Sequence, residues 1–325
     1  MLVLSKSDVM SLIDMNECIS VVENAFKEYG DGKAYIPKGT LVPTEDGISF
    51  YMPSYLKASK ALTCKIVTVY RNNPKKSESP VVVSKIFVQD VNTGAIKCIM
   101  DGEYISGMGT GAASAVATKY LSRNTESMTL GIFGSGIQAR NQLIAVACVR
   151  KISKVYIYSA NKKNAVNFIE EMSKKYKFEF LLAKNAEELT ANSDIICTAT
   201  TSANPVFNGS NLKPGTHINS VGSCKPNTRE LDSETIINSI FIGDSKESVL
   251  KEAGDFLIPL KKGEITKEHF FADLGEITTG KKRGRLRKNE ITVFKSLGLA
   301  IQDTAAAKFV YDKAVKLGIG EKVSV

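Results

Sequence analysis

Polar and apolar positions change their rhythm once along this chain, near residue 129. Before that point, short apolar runs rich in β-branched residues predominate. Ala61 to Tyr70 reads as a strand, and Val81 to Asp90 with Ala95 to Asp101 reads as a hairpin turned by Asn92-Thr93-Gly94. Lys33 to Met52 reads as extended segments broken by Pro37, Pro43 and the turn Glu45-Asp46-Gly47. Two helices come first. Ser5 to Ile13 opens on a sequence resembling a capping box. Asn16 to Tyr29 places Ile19, Val22, Ala25 and Phe26 on one face and stops at Gly30. Glu103 to Leu121 is a long helix rich in Gly and Ala, a composition suited to close packing against another backbone.

From Thr129 the pattern alternates strand with helix. Strands are predicted at Leu130–Phe133, Val155–Tyr158, Glu179–Leu182, Asp194–Thr198, His217–Val221 and Ile240–Gly243, and helices at 137–150, 161–176, 186–192 and 230–237. This alternation predicts an α/β fold with a parallel, doubly wound sheet covered on both faces. A helix follows Asp244, then a polar loop. A final helical stretch, Val293 to Leu317, is left without a sheet partner.

Composition narrows the class. The 325 residues suffice for two domains, and 43% hydrophobic with 24% charged residues is ordinary for a soluble protein. The first residues lack a signal-peptide pattern and no apolar run is long enough to span a bilayer, so a cytoplasmic protein is expected, with no membrane partner. Six cysteines without a C-x-x-C pair and only two histidines argue against a metal site or disulfide framework. Cys64, Cys98, Cys148 and Cys197 read as small core residues. The net charge of +9 is dispersed except for Lys281 to Lys288, which reads as a solvated loop and not as a nucleic-acid stripe.

The chemistry concentrates where the rhythm changes. Gly134-Ser135-Gly136-Ile137-Gln138-Ala139 fits G-x-G-x-x-A between a predicted strand and a predicted helix, the arrangement of a dinucleotide site. Gly134 allows the tight turn, Gly136 lets the backbone approach a pyrophosphate, and the amides at the helix start hold its charge. In NAD sites an acid at the end of the second strand binds the ribose 2′-hydroxyl. Here Ser159, Asn161 and Lys162 occupy that stretch and no acid occurs from Lys151 to Ile169, so NADP(H) is favoured over NAD(H). Thr198, Ala199 and Thr200 follow the fourth strand and Ser220, Val221 and Gly222 end the fifth, so both groups are expected at the cofactor crevice. Thr110 is a further phosphate donor. Glu230 and Asp232 read as acids at a helix start.

Read together, Met52-Pro53-Ser54-Tyr55, Leu62 to Thr68, Met100-Asp101-Gly102, Ala117 to Leu121, the glycine motif, Ile218 to Gly222, Arg229 to Asp232, Lys251 to Asp255, Leu274 to Ile277 and Thr292 to Leu299 resemble the ornithine cyclodeaminase/mu-crystallin family, above all its mu-crystallin-like ketimine reductase branch. The resemblance runs over nearly the whole chain. It implies a Rossmann domain, residues 116–292, inserted into an α+β substrate-binding and dimerisation domain made of residues 1–115 and 293–325. It implies a homodimer joined through the N-terminal sheets and an active site between domains. It implies that Lys65 is the active-site lysine, that Tyr51 lines the substrate site, and that Ser296, Leu297, Gly298 and Asp303 lie at the cleft, although Asp303 suits a local cap or pair equally well.

Three departures matter. Cyclodeaminases of the family carry an Asp just after the V-G of the fifth strand; here Val221-Gly222 is followed by Ser223-Cys224-Lys225-Pro226. Gly39 and Gly109 stand where the family commonly has cations for the substrate carboxylate, with Lys38 offset by one position. Charge-assisted hydrogen bonds contribute about 1.5–3 kcal/mol each, so either Lys38 and Lys65 hold the carboxylate or the substrate is bulkier or lacks one. The resemblance therefore implies NADPH-dependent reduction of a C=N bond in a cyclic ketimine or the imine of a 2-oxo acid. The alternatives are an amino-acid dehydrogenase or cyclodeaminase of the same family, and a dinucleotide-binding protein without turnover.

Overall fold

The computed structural model describes residues 1–76 and 79–324, which divide into two compact units, residues 1–109 with 299–325 and residues 110–298. The first unit begins with β1 (Leu2–Leu4), α1 (Lys6–Leu12) and α2 (Met15–Gly30). Both helices start in full capping boxes, Ser5 with Asp8 and Asp14 with Glu17, which satisfy first-turn amides. Then come β2 (Ala34–Tyr35), β3 (Thr40–Pro43), β4 (Ile48–Leu56), β5 (Ala61–Val69), the single turn α3 (Asn73–Lys76), β6 (Val82–Gln89), β7 (Ile96–Asp101) and α4 (Glu103–Leu121), within which the division falls.

Eight strands form this unit's sheet, in the order β16-β1-β7-β6-β5-β4-β2 with β3 beside β4, where β16 is Glu321–Lys322. Its pairings are antiparallel except that β1 runs parallel to β7. One face buries Leu56, Ala61, Ile86, Val88, Cys98 and Met100 under α1, α2 and the returning helix α12 (Ala300–Leu317). The opposite face carries Tyr55, Leu62, Cys64, Ile66, Phe87 and Ile99, each only half-buried. Side chains alternate between faces along a strand, so register decides which residues can meet.

The second unit holds β8 (Met128–Phe133), α5 (Ile137–Val149), β9 (Ile152–Tyr158), α6 (Lys162–Lys175), β10 (Glu179–Leu182), α7 (Ala186–Asn192), β11 (Ile195–Thr198), β12 (His217–Ser220), α8 (Ser233–Ile237), β13 (Ser239–Gly243), α9 (Lys246–Glu252), α10 (Gly254–Lys261), β14 (Phe270–Asp273), α11 (Leu274–Thr278) and β15 (Ile291–Lys295). All eight strands are parallel, in the order β10-β9-β8-β11-β12-β15-β13-β14. Alternate residues serve opposite faces. Leu130, Ile132 and Cys197 join one buried cluster with Leu143 and Phe168, while Phe133, Ile196 and Ile218 join another with Phe241 and Phe256. The order reverses between β8 and β11, and a doubly wound sheet binds ligands at the carboxyl ends of its strands there.

Three expectations change. The helix expected from Val293 begins only at Ala300, because Thr292, Val293 and Phe294 are fully buried in β15, which inserts between β12 and β13. Residues 293–298 therefore belong to the second unit, as do 110–115, whose Gly111 backs so closely on Asn141 of α5 that a Cβ there would lie 2.8 Å from its carbonyl oxygen. Cys148, expected in the core, is exposed, because it lies off the α5 stripe of Ala139, Leu143 and Val146. Among the described residues no helix is long and apolar enough to cross a membrane.

Candidate active site

The glycine turn sits between buried β8 and α5. Gly134 has φ +105°, and a Cβ there would lie 2.3 Å from the carbonyl oxygen of Ala199, so only glycine fits. A Cβ on Gly136, the N-cap of α5, would meet nothing within 4 Å, which leaves an open approach to the first-turn amides. Ile137, an apolar residue at that first turn, is 75% exposed. The buried Gln138 Oε1 has no hydrogen-bond partner. This cradle, its amides and the orphaned acceptor fit a dinucleotide.

At the end of β9, Ser135 Oγ donates to Ser159 Oγ at 3.1 Å, and Lys162 is exposed. The side-chain oxygen of Asn161 accepts from Asn164 N as the N-cap of α6, so it is committed to the helix. The rim after β11 and β12 is held from beneath. The hydroxyls of Thr198 and Ser220 are fully buried and turn inward, Thr198 to Glu230 and Ser220 to Lys295, so neither reaches a ligand as the sequence reading expected. Ala199, Thr200 and Gly222 remain at the surface of the crevice, with Val221 nearly buried. Thr110 is half-buried. The amides of Leu297 and Gly298 donate to Asp244 Oδ2 at 2.6 and 2.8 Å, and Ser296 Oγ is buried without a partner. Burial pushes the Asp244 carboxyl up to about 6, against the pull of those amides.

Glu230 is not a helix-start acid. It is completely buried and accepts from Thr198 Oγ1, Thr200 N, Thr200 Oγ1 and Gly222 N, whereas Asp232 does cap α8. Nor is the basic run Lys281 to Lys288 wholly solvated. The Arg285 guanidinium lies inward on the carbonyl of Leu121 and the hydroxyl of Thr292, and burial pushes its pKa down to about 10.

In the first unit, β5 presents Lys65 on the face under α12. Its Nζ lies 2.6 Å from Asp303 Oδ2 and 3.4 Å from Ser106 Oγ, and Ser106 Oγ donates to Asp303 Oδ1 at 2.8 Å. The lysine and aspartate side chains are 12% and 7% exposed, so the pair is not sealed. Beside it Thr63 and Thr304 share a buried hydrogen bond. Gly109 of α4 packs on Gln302, with 3.4 Å between a Cβ there and the Gln302 Cβ, and the Gln302 Nε2 is buried without a partner. Tyr51 pairs with Ile66 while Lys65 pairs with Met52, so Tyr51 faces the opposite side of the sheet and cannot line a site with Lys65. Lys38 is exposed next to Gly39, whose Cβ would sit 3.2 Å from the Tyr51 carbonyl oxygen. Sequence reasoning missed Asp244 and the carboxylate role of Glu230. Among the described residues no group of three His, Cys, Asp or Glu is placed to hold a metal ion.

Comparison with known proteins bears on this arrangement. The family model for ornithine cyclodeaminase/mu-crystallin matches residues 1–318. A Δ1-pyrroline-2-carboxylate reductase of Bacillus cereus is 38% identical over 99% of both chains. The solved structure of Thermococcus litoralis Δ1-pyrroline-2-carboxylate reductase in complex with NADH and L-proline superposes with a TM-score of 0.94, at 49% identity over 99% of this chain and 100% of that one. An archaeal alanine dehydrogenase dimer with bound NAD gives 0.92 at 35% identity, covering 99% of this chain and 98% of that one. The chain, with its Rossmann sheet and its Lys65 site, belongs to the ornithine cyclodeaminase/mu-crystallin family.

Proposed function

We propose that this protein reduces the C=N bond of a cyclic 2-carboxy imine, of the Δ1-pyrroline-2-carboxylate type, to the corresponding cyclic amino acid. The observation that carries the reading is the incompletely buried Lys65 side chain, fixed by Asp303 and Ser106, in a chain with Ser223-Cys224 in place of the cyclodeaminase carboxylate. The first unit serves as the substrate-binding and dimerisation domain, and the second holds the nicotinamide cofactor on Gly134, Ser135, Gly136 and the α5 amides. When bound, the reduced nicotinamide supplies the hydride. Lys65 holds the substrate, as the cation for its carboxylate and as the nearby proton source for the imine nitrogen. Asp303 keeps Lys65 aimed. Without a carboxylate after Gly222, no residue there takes a proton from a free amino substrate, which disfavours cyclodeamination of ornithine.

The cofactor preference is inferred as NADP(H) over NAD(H), from Ser159 and exposed Lys162 at the ribose position without an acid. The two structural relatives hold NADH and NAD. A homodimer is supported by the half-buried apolar sheet face of Tyr55, Leu62, Ile66, Phe87 and Ile99. The test is cofactor oxidation with Δ1-pyrroline-2-carboxylate and a panel of cyclic and acyclic imines, with NADPH and NADH compared. Turnover of a cyclic imine, faster with NADPH, is expected. NAD-dependent oxidation of alanine faster than any imine reduction would overturn the reading in favour of an amino-acid dehydrogenase.

A further inference from the structure

The second unit contains buried charges that hydride transfer does not use. Lys295 and Asp255 are fully buried and 2.8 Å apart. Such a pair is commonly no better for stability than apolar residues of similar size, because both ions lose their hydration. What these charges hold is therefore more informative than that they attract. Lys295 Nζ donates to Ser220 Oγ at the end of β12. Asp255 Oδ1 accepts the backbone amides of Glu230 and Leu231 at 2.8 and 2.9 Å. The Glu230 side chain completes the circuit. One oxygen takes Thr200 N and Thr200 Oγ1, both at 2.7 Å, and the other takes Thr198 Oγ1 at 2.8 Å and Gly222 N at 2.7 Å. Two loops at the ligand side of the sheet, after β11 and after β12, are thus tied to one carboxylate. They lie so close that a Cβ on Gly222 would sit 2.2 Å from the Thr200 carbonyl oxygen.

We propose that Glu230 is the positioning residue of the dinucleotide crevice. It touches no ligand itself; it fixes the spacing of Thr200 and Gly222, and the Lys295–Asp255 pair fixes Glu230. The inference rests on the reading that this unit binds a nicotinamide dinucleotide. An ionised carboxylate only accepts hydrogen bonds, which suits four converging donors, whereas an amide must turn its NH2 toward some of them. Glu230→Gln is nearly the same shape, so it loosens the two loops without emptying the site.

The experiment measures NADH and NADPH affinity by fluorescence titration together with amide hydrogen exchange in the ligand-free protein. Glu230→Gln is expected to weaken dinucleotide binding roughly tenfold or more and to speed exchange at Thr200 and Gly222 while β8 and β9 stay protected. Thr198→Val, which removes only a buried hydroxyl bonded to Glu230, is expected to weaken binding about three- to tenfold in the same direction. Asp232→Ala, which removes the cap of α8, should lower the melting temperature and leave affinity unchanged. Native affinity in folded Glu230→Gln or Thr198→Val, or exchange that rises evenly across the whole sheet, overturns the proposal. A wild-type protein that binds neither dinucleotide overturns the cofactor reading itself.

Discussion

Among the described residues each unit contains one lysine–aspartate pair with little or no exposure, and the two pairs differ in what surrounds them more than in their own geometry. Lys65 and Asp303 are 2.6 Å apart and Lys295 and Asp255 are 2.8 Å apart. The second pair is sealed: both side chains have no exposure, and the neighbours are the hydroxyl of Ser220 and the amides of Glu230 and Leu231. The first pair keeps 12% exposure at the lysine. Asp303 and Ser106 take two of the three ammonium protons. Distance does not separate the two pairs, and neither does the number of ammonium protons committed to protein partners, two in each. Access does.

The sharpest way to break this contrast is to remove each lysine. Lys65→Met leaves Asp303 bonded to Ser106 and within reach of water. It is expected to lower kcat/KM for the imine by about 10²–10⁴, the usual range for a positioned proton donor, with little change in melting temperature. Lys295→Ala strands a sealed carboxylate and is expected to destabilise by about 3–5 kcal/mol, measured by urea unfolding. Replacing both partners, Lys295→Met with Asp255→Leu, should recover most of that loss. If Lys65→Met instead keeps wild-type kcat/KM and only lowers the melting temperature, the assignment of the working pair is wrong.

Much of the frame on which the two pairs sit was legible in the sequence, for local reasons. Strand–helix alternation and the glycine turn are short-range patterns, and the strands β8 to β13 lie within a few residues of where the periodicity puts them. β15 was not legible. Its buried run Thr292-Val293-Phe294 leads through Lys295 into further apolar residues, and periodicity does not mark where a strand yields to a helix. Nor does a local pattern reveal that it pairs between β12 and β13, or that its lysine meets Asp255. The site was half legible. Lys65 stood out through family resemblance, but its partner Asp303 is 238 positions away, and Tyr51 fails because one residue of register moves a side chain to the other face. Glu230 looked like a helix-start acid because sequence cannot show which loops converge on it.

Sealed charge also makes the second unit the place where pH acts. His217 is fully buried between Thr292 and Asn219, and burial pushes its pKa down from 6.5 to about 3. The unfolded chain takes this proton below pH 6.5 and the folded one does not until about 3, so His217 makes stability fall as pH drops through that window. Asp244 works the other way. Its folded pKa of about 6 lies above the usual 3.8, so the folded state holds the extra proton between them, and this group makes stability fall as pH rises from about 4 to 6. The two slopes oppose each other. Asp244→Asn keeps an oxygen for the Leu297 and Gly298 amides and removes one slope. Between pH 4 and 6 the variant should lose stability on acidification more steeply than wild type, by about 1 kcal/mol per pH unit. Parallel curves would show that Asp244 does not titrate there.

The finest discrimination lies in the serine beside each pair. Ser106 and Ser220 each accept from a lysine, at 3.4 and 3.2 Å. A hydrogen bond to a charged group contributes about 1.5–3 kcal/mol, and each lysine keeps its carboxylate when the serine is truncated, so the change is smaller than losing the pair. The comparison predicts that the loss is read in different measurements. Ser106→Ala frees one Asp303 oxygen and lets Lys65 rotate in a site that ligand reaches, so the cost falls on turnover: kcat/KM for the imine should drop about three- to tenfold with the affinity for NADPH kept. Ser220→Ala opens a hole beside a lysine with no exposure, so its cost falls on the melting temperature, which should drop by a few degrees. Equal losses of turnover and of melting temperature in both variants would erase the distinction between the working pair and the sealed one.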